Sequence, residues 1–74
     1  MNDSRRRKIR DIVQTLEMMK ESLNEVLDEE QESFDNMPEG LQLSDRGMDS
    51  EEAITNLTEA AENLETVLDI LNDF

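Results

Sequence analysis

The sequence predicts an all-α chain: an antiparallel two-helix hairpin, coiled-coil-like, that associates into a helical bundle. Two segments carry apolar residues in alternating steps of three and four, the spacing of a helix-packing seam. One short stretch of turn-forming residues, holding the lone proline, separates them. Folding the chain about that stretch brings the two seams into register.

The first helix is expected over about residues 4–36. Ile9, Ile12, Leu16, Met19, Leu23 and Val26 form its a and d rows, and Val13, Leu27 and Phe34 lie along the neighbouring e row. Asp3 or Ser4 can cap the start, because a short polar side chain accepts from the free amides of the first turn. Glu30 interrupts the seam at an a position, where packing is expected to loosen. The connection is expected over about residues 37–48. Pro38 disfavours helix at Met37, and Gly40 and Gly47 suit turn or cap positions.

The second helix is expected over about residues 49–73. Ala53, Leu57, Ala60, Leu64, Val67, Leu71 and Phe74 repeat the a/d pattern, with Ile54, Ala61 and Leu68 on the e row. Asp49 and Glu52 have capping-box spacing; Ser50 is a rival cap, and a start as early as Ser44 is open. Phe34 and Phe74, the only aromatics, are expected to cap the two ends of the core.

Pairing Ile9 with Leu71 also pairs Ile12 with Leu68, Leu16 with Leu64, Leu23 with Leu57 and Val26 with Ile54. Each pair of numbers sums to 80, so the fold-back centres on Gly40. It also sets the cluster Arg5, Arg6, Arg7, Lys8 and Arg10 beside Asp69 and Asp73, where cations complement a helix C-terminus. At 74 residues the chain is one domain with a marginal core. Two helices cannot cover three rows each, so the leftover e rows call for a homodimer forming a four-helix bundle, or for a partner's groove.

Composition narrows the function. The chain has no His, Cys, Trp or Tyr, which removes the commonest general base, the thiolate nucleophile and the phenol acid. No catalytic set, no cofactor site and no enzyme activity are expected. No apolar run approaches the roughly 20 residues of a membrane span, and no apolar signal core follows the basic N-terminus. A cytoplasmic protein without membrane attachment is the expectation.

The formal charge of -13 is unevenly spread. Residues 1–10 hold five cations against Asp3, a net of +4; residues 11–74 hold Lys20 and Arg46 against 19 acids, a net of -17. Such a body repels nucleic acid and favours a protein partner with a basic surface. The terminal cations lack interleaved aromatics, so direct nucleic-acid binding is not expected. Candidate partner contacts are Glu17, Glu21, Glu25, Asp28, Glu29, Glu32, Asp35, Glu59, Glu62 and Glu65 on the helices, with Met37 and Met48 flanking the connection.

Rows of carboxylates on a narrow rod can imitate the phosphates of a duplex. A metal is the weaker reading. Counted from Asp28, a calcium loop finds Ser33 where its turn needs Gly, and a di-metal bundle site wants His.

Asp28-Glu29-Glu30-Gln31, Phe34-Asp35-Asn36-Met37-Pro38-Glu39, Leu41-Gln42 and Ser44-Asp45-Arg46-Gly47 carry a likeness to known sequences. Over roughly residues 9–74 the chain resembles a family of short acidic proteins from bacteriophages, prophages and other bacterial mobile elements. The resemblance implies a helical hairpin of phage-like origin and assigns no functional residues. Small acidic phage proteins often bind and inhibit host or defence proteins. The expectation is therefore an inhibitor or modulator of a basic, nucleic-acid-binding protein or nuclease, of the anti-defence or anti-CRISPR kind. The alternative is a homo-oligomeric structural or assembly protein whose acids only keep it in solution.

Overall fold

The computed structural model describes residues 1–74. The chain is all-helical, with no strand: α1 (Asp3–Asp35), α2 (Glu39–Gln42) and α3 (Asp45–Leu71). α1 and α3 lie side by side in opposite directions. Two side-chain bridges span the seam, Lys20 to Glu65 and Ser50 to Glu30. The result is a slender rod, 58 × 14 × 13 Å between Cα atoms.

Asn2, not Asp3 or Ser4, caps α1: its side-chain oxygen accepts from the Arg5 amide at 2.9 Å. The cap therefore sits one residue earlier than the first acid, and Asp3 falls in the first turn, where its charge suits the helix N-terminus. α1 ends where Pro38 forbids its continuation, since the residue before a proline is pushed out of helical geometry.

The connection differs from the expected loop over 37–48. Pro38 starts the single-turn α2, and α3 begins at Asp45 behind Ser44. Asp49, Ser50 and Glu52 therefore lie inside α3 and cap nothing. Ser44 donates its hydroxyl back to the Leu41 carbonyl. Gln42 donates to the Phe34 carbonyl at 3.0 Å, tying α2 to the end of α1.

Neither glycine is needed for a left-handed turn, because no residue has positive φ. Gly47 is buried in the first turns of α3, against Gln42, where an added Cβ would overlap the Gln42 backbone. That contact, rather than backbone freedom, is what requires a glycine.

The seam is rotated from the expected one. Val13 and Leu68 are the buried apolar residues, and both stand on e rows. Ile9, Leu16, Leu23, Leu27, Phe34, Ile54, Leu57, Ala61, Leu64 and Leu71 are half-buried, so each helix turns its a and e rows inward. The d rows turn out apart from the half-buried Ala53: Ile12, Met19 and Val26 are 50 %, 59 % and 50 % exposed, and Val67 and Phe74 lie open beside Ala60.

The connection and the side-chain volumes give the physical reason. Gly47 and Ser50 lie on the inward rows and are buried at the turn, so they set the rotation of α3. On that helix the e row carries Ile54 and Leu68, while the d row offers the smaller Ala53 and Ala60. Burying the larger side chains removes more apolar surface from water. The expected core role of Met19 and the expected end cap at Phe74 are both corrected by this rotation. Phe34 remains half-buried at the turn.

Candidate functional site: two unlike faces of the hairpin

Both helices place a and e inward, which assigns every other row a side. Viewed along each chain, the d row lies anticlockwise of the seam and the b row clockwise. Reversing one helix makes equal letters share a side, so the two d rows flank one face and the two b rows the other. The geometry agrees on the second point. Glu17, Lys20, Glu21 and Asn24 of α1 line one shallow groove with Glu65, Leu68 and Asn72 of α3.

The groove face is acidic. The b and f rows bring Glu17, Glu21, Asp28 and Asp35 of α1 to the same side as Glu51, Glu62, Glu65 and Asp69 of α3. Lys20 sits among them, half-buried, and pairs with Glu65. The salt bridge takes Glu65 out of the set of free contacts. With side chains 29 % and 50 % exposed, the pair is worth about 0–1 kcal/mol.

Glu25, Glu32 and Glu59 point straight outward on c rows, at opposite edges of the rod, and Glu29 lies on a g row. The ten candidate acids therefore do not form one patch. Glu17, Glu21, Asp28, Asp35, Glu62 and Glu65 share a face; the other four do not. Asp35 also accepts from Gln31 at 3.0 Å. Met48 is exposed and Met37 half-buried beside α2. No three carboxylates converge in a way that would hold a metal ion.

The opposite face carries no charge over its central length. Its rows hold Ile12, Thr15, Met19, Ser22 and Val26 from α1 and Ala53, Asn56, Ala60, Asn63, Val67 and Ile70 from α3. Thr15, Met18, Met19 and Ser22 line a shallow apolar hollow there. An uncharged band of this length on a chain of net -13 is a strong segregation.

The basic tip stands apart. Arg5, Arg6, Arg7, Lys8 and Arg10 are exposed, and the one ion pair in the molecule is Lys20–Glu65. The expected pairing with Asp69 and Asp73 does not form. With Glu30 level with Ser50, Leu71 falls level with Ile9, so the first turns of α1 overhang the end of α3. Asp69 and Asp73 also stand on outward rows.

Two features of the seam lie outside the apolar pattern, the buried Ser50 hydroxyl on Glu30 at 2.6 Å and the Lys20 bridge. The first was available: 30 and 50 sum to 80, so the register that paired the leucines also paired these two.

No helix is long and apolar enough to cross a membrane. Comparison of the chain with family models, with curated proteins and with solved structures yields no match.

Proposed function

We propose that the chain is a small acidic phage-type protein that binds and inhibits or modulates a host or defence protein. The contact is a basic, nucleic-acid-binding surface, and the role is DNA-mimic-like, carried out in the cytoplasm. The observation that supports this reading is the outward display of the acids. Glu65 alone is tied up by a cation of the same chain, Glu30 is held by Ser50, and the other acids of the -17 body are exposed. The resemblance to small acidic phage proteins points the same way.

The test is capture of partners on the immobilised chain at rising salt, followed by competition with duplex DNA. Charge-driven binding releases the partner as ionic strength shortens the Debye length from about 10 Å at 0.1 M to about 3 Å at 1 M, and DNA displaces it. Binding that ignores both salt and DNA contradicts the reading.

A second reading is favoured by a separate observation, the uncharged face. It is a homo-oligomeric structural or assembly protein, a helical bundle built from two hairpins. The two readings use different faces, and light scattering on the pure chain addresses the second without any partner.

A further inference from the structure

We infer that the uncharged face is the contact surface for a second copy of this chain, and that the two hairpins stack antiparallel about a two-fold axis through Met19. This rests on the second reading above and gives it a face, an orientation and a register.

Three observations select a second copy as the occupant. The first is the state of the core. Only Val13 and Leu68 among the apolar residues are buried, and no side chain is wholly enclosed. Ile12, Met19, Val26 and Val67 stand in water on one side. A small chain with so little interior gains most by covering that row.

The second is repulsion. Chains of net -13 repel one another, and the central uncharged band is the one surface along which two copies can approach without apposing carboxylates.

The third is complementarity between the two ends. The tip carries Arg5 to Arg10 without an ion pair, at the N-terminus of α1, where cations are disfavoured. At the turn end the g row beside the uncharged face carries Glu29. Tip-to-tip stacking apposes Arg5 and Lys8, the cations on the d and g rows, with their own copies. Antiparallel stacking lays each basic tip over the acidic turn end of the other copy.

The register then follows. α1 packs on α1 of the second copy along the d row, with Met19 against Met19 and Ile12 against Val26. On the flanking g row Lys8 of one copy reaches Glu29 of the other, since 8 and 29 add to 37, one short of twice 19. α1 overlaps its copy over Asp3–Asp35, about 48 Å, and α3 overlaps its copy over residues 51–71, about 31 Å, each roughly 10 Å wide. That is about 800 Å² per copy, the size of a stable specific interface.

The experiment is sedimentation equilibrium of the full chain across micromolar to millimolar concentration, joined to disulfide mapping. The chain has no cysteine of its own, so introduced thiols report cleanly. Two-chain particles are expected. Met19→Glu should weaken pairing more than 100-fold, while Glu21→Gln on the acidic face should not weaken it.

Under mild oxidation a one-to-one mixture of Lys8→Cys and Glu29→Cys chains should cross-link, and Lys8→Cys alone should not. Both of these substitutions are on the surface, so the mapping stands even where Met19→Glu fails to fold. A single chain at every concentration overturns the proposal. Cross-linking of Lys8→Cys alone as readily as the mixture overturns the antiparallel stacking. Neither result bears on salt-dependent binding of a basic partner, which is read in a separate experiment.

Discussion

The two broad faces of the hairpin are built from the same two helices, yet they follow opposite rules. One is crowded with carboxylates one turn apart, each pair mildly unfavourable on a helix. The other is free of charge over its central length and leaves Ile12, Met19 and Val26 half in water. Neither arrangement is what a lone two-helix rod needs for stability. The acids raise its self-repulsion, and the open apolar row forfeits burial. The comparison teaches that burial and charge are separated by face: the seam holds the fold, and the outer rows stay exposed.

The largest effects should come from substitutions that distinguish the seam from the open row at adjacent positions. Leu68→Ala removes the most buried apolar side chain and should cost about 2–5 kcal/mol, enough to unfold much of so small a protein. Its neighbour Val67→Ala lies on the open row and should cost under about 1 kcal/mol at dilution, while weakening association at high concentration. Urea denaturation followed by circular dichroism measures both. Equal costs at dilution would erase the distinction between the faces.

Gly47→Ala comes next, because helix propensity and packing oppose each other there. Propensity alone favours Ala by about 1 kcal/mol. The overlap with the Gln42 backbone should reverse the sign and cost roughly 1–3 kcal/mol. A stabilised variant would mean that the connection does not pin α3 and that the seam is free to rotate.

Ser50→Ala strips the half-buried Glu30 carboxylate of its hydroxyl partner and should cost about 1–3 kcal/mol by the same denaturation measurement. Lys20→Gln is the mildest. It removes the lone ion pair and should change stability by no more than about 1 kcal/mol. A large loss there would place the acidic groove, rather than the seam, at the centre of the fold.

Much of this architecture is legible in the sequence, and the failures are instructive. The helical period, the break at Pro38 and the antiparallel register come from local patterns that survive any rotation of the helices. The Glu30–Ser50 bridge obeys that same register. The rotation itself was not legible, because both helices carry three apolar rows. On α3 the buried Gly47 and Ser50 and the larger side chains of the e row favour e over d, and the Gly47–Gln42 contact joins residues of different elements.

The expected loop over about 37–48 fails at the single turn Glu39–Gln42 for a related reason, while α3 starts at the early alternative, behind Ser44. Gly40 and Gly47 suit turns or caps by residue type, whereas one sits in a single helical turn and the other at a close approach. Of the candidate acids, periodicity could show that they were exposed. Only the inward rows could show which of them share a side.

The rate at which a thiol reagent alkylates Ile12→Cys and Val13→Cys tests the central claim most directly, because adjacent residues are assigned to opposite environments. With the chain dilute enough to be single, Ile12→Cys should react at nearly the rate of a free thiol and Val13→Cys at least about tenfold more slowly, in the manner of a site exposed only by opening. Raising the concentration should then protect Ile12→Cys as the second copy covers it. Equal rates at dilution, or a faster reaction at Val13→Cys, would contradict the rotated seam and everything placed on its two faces.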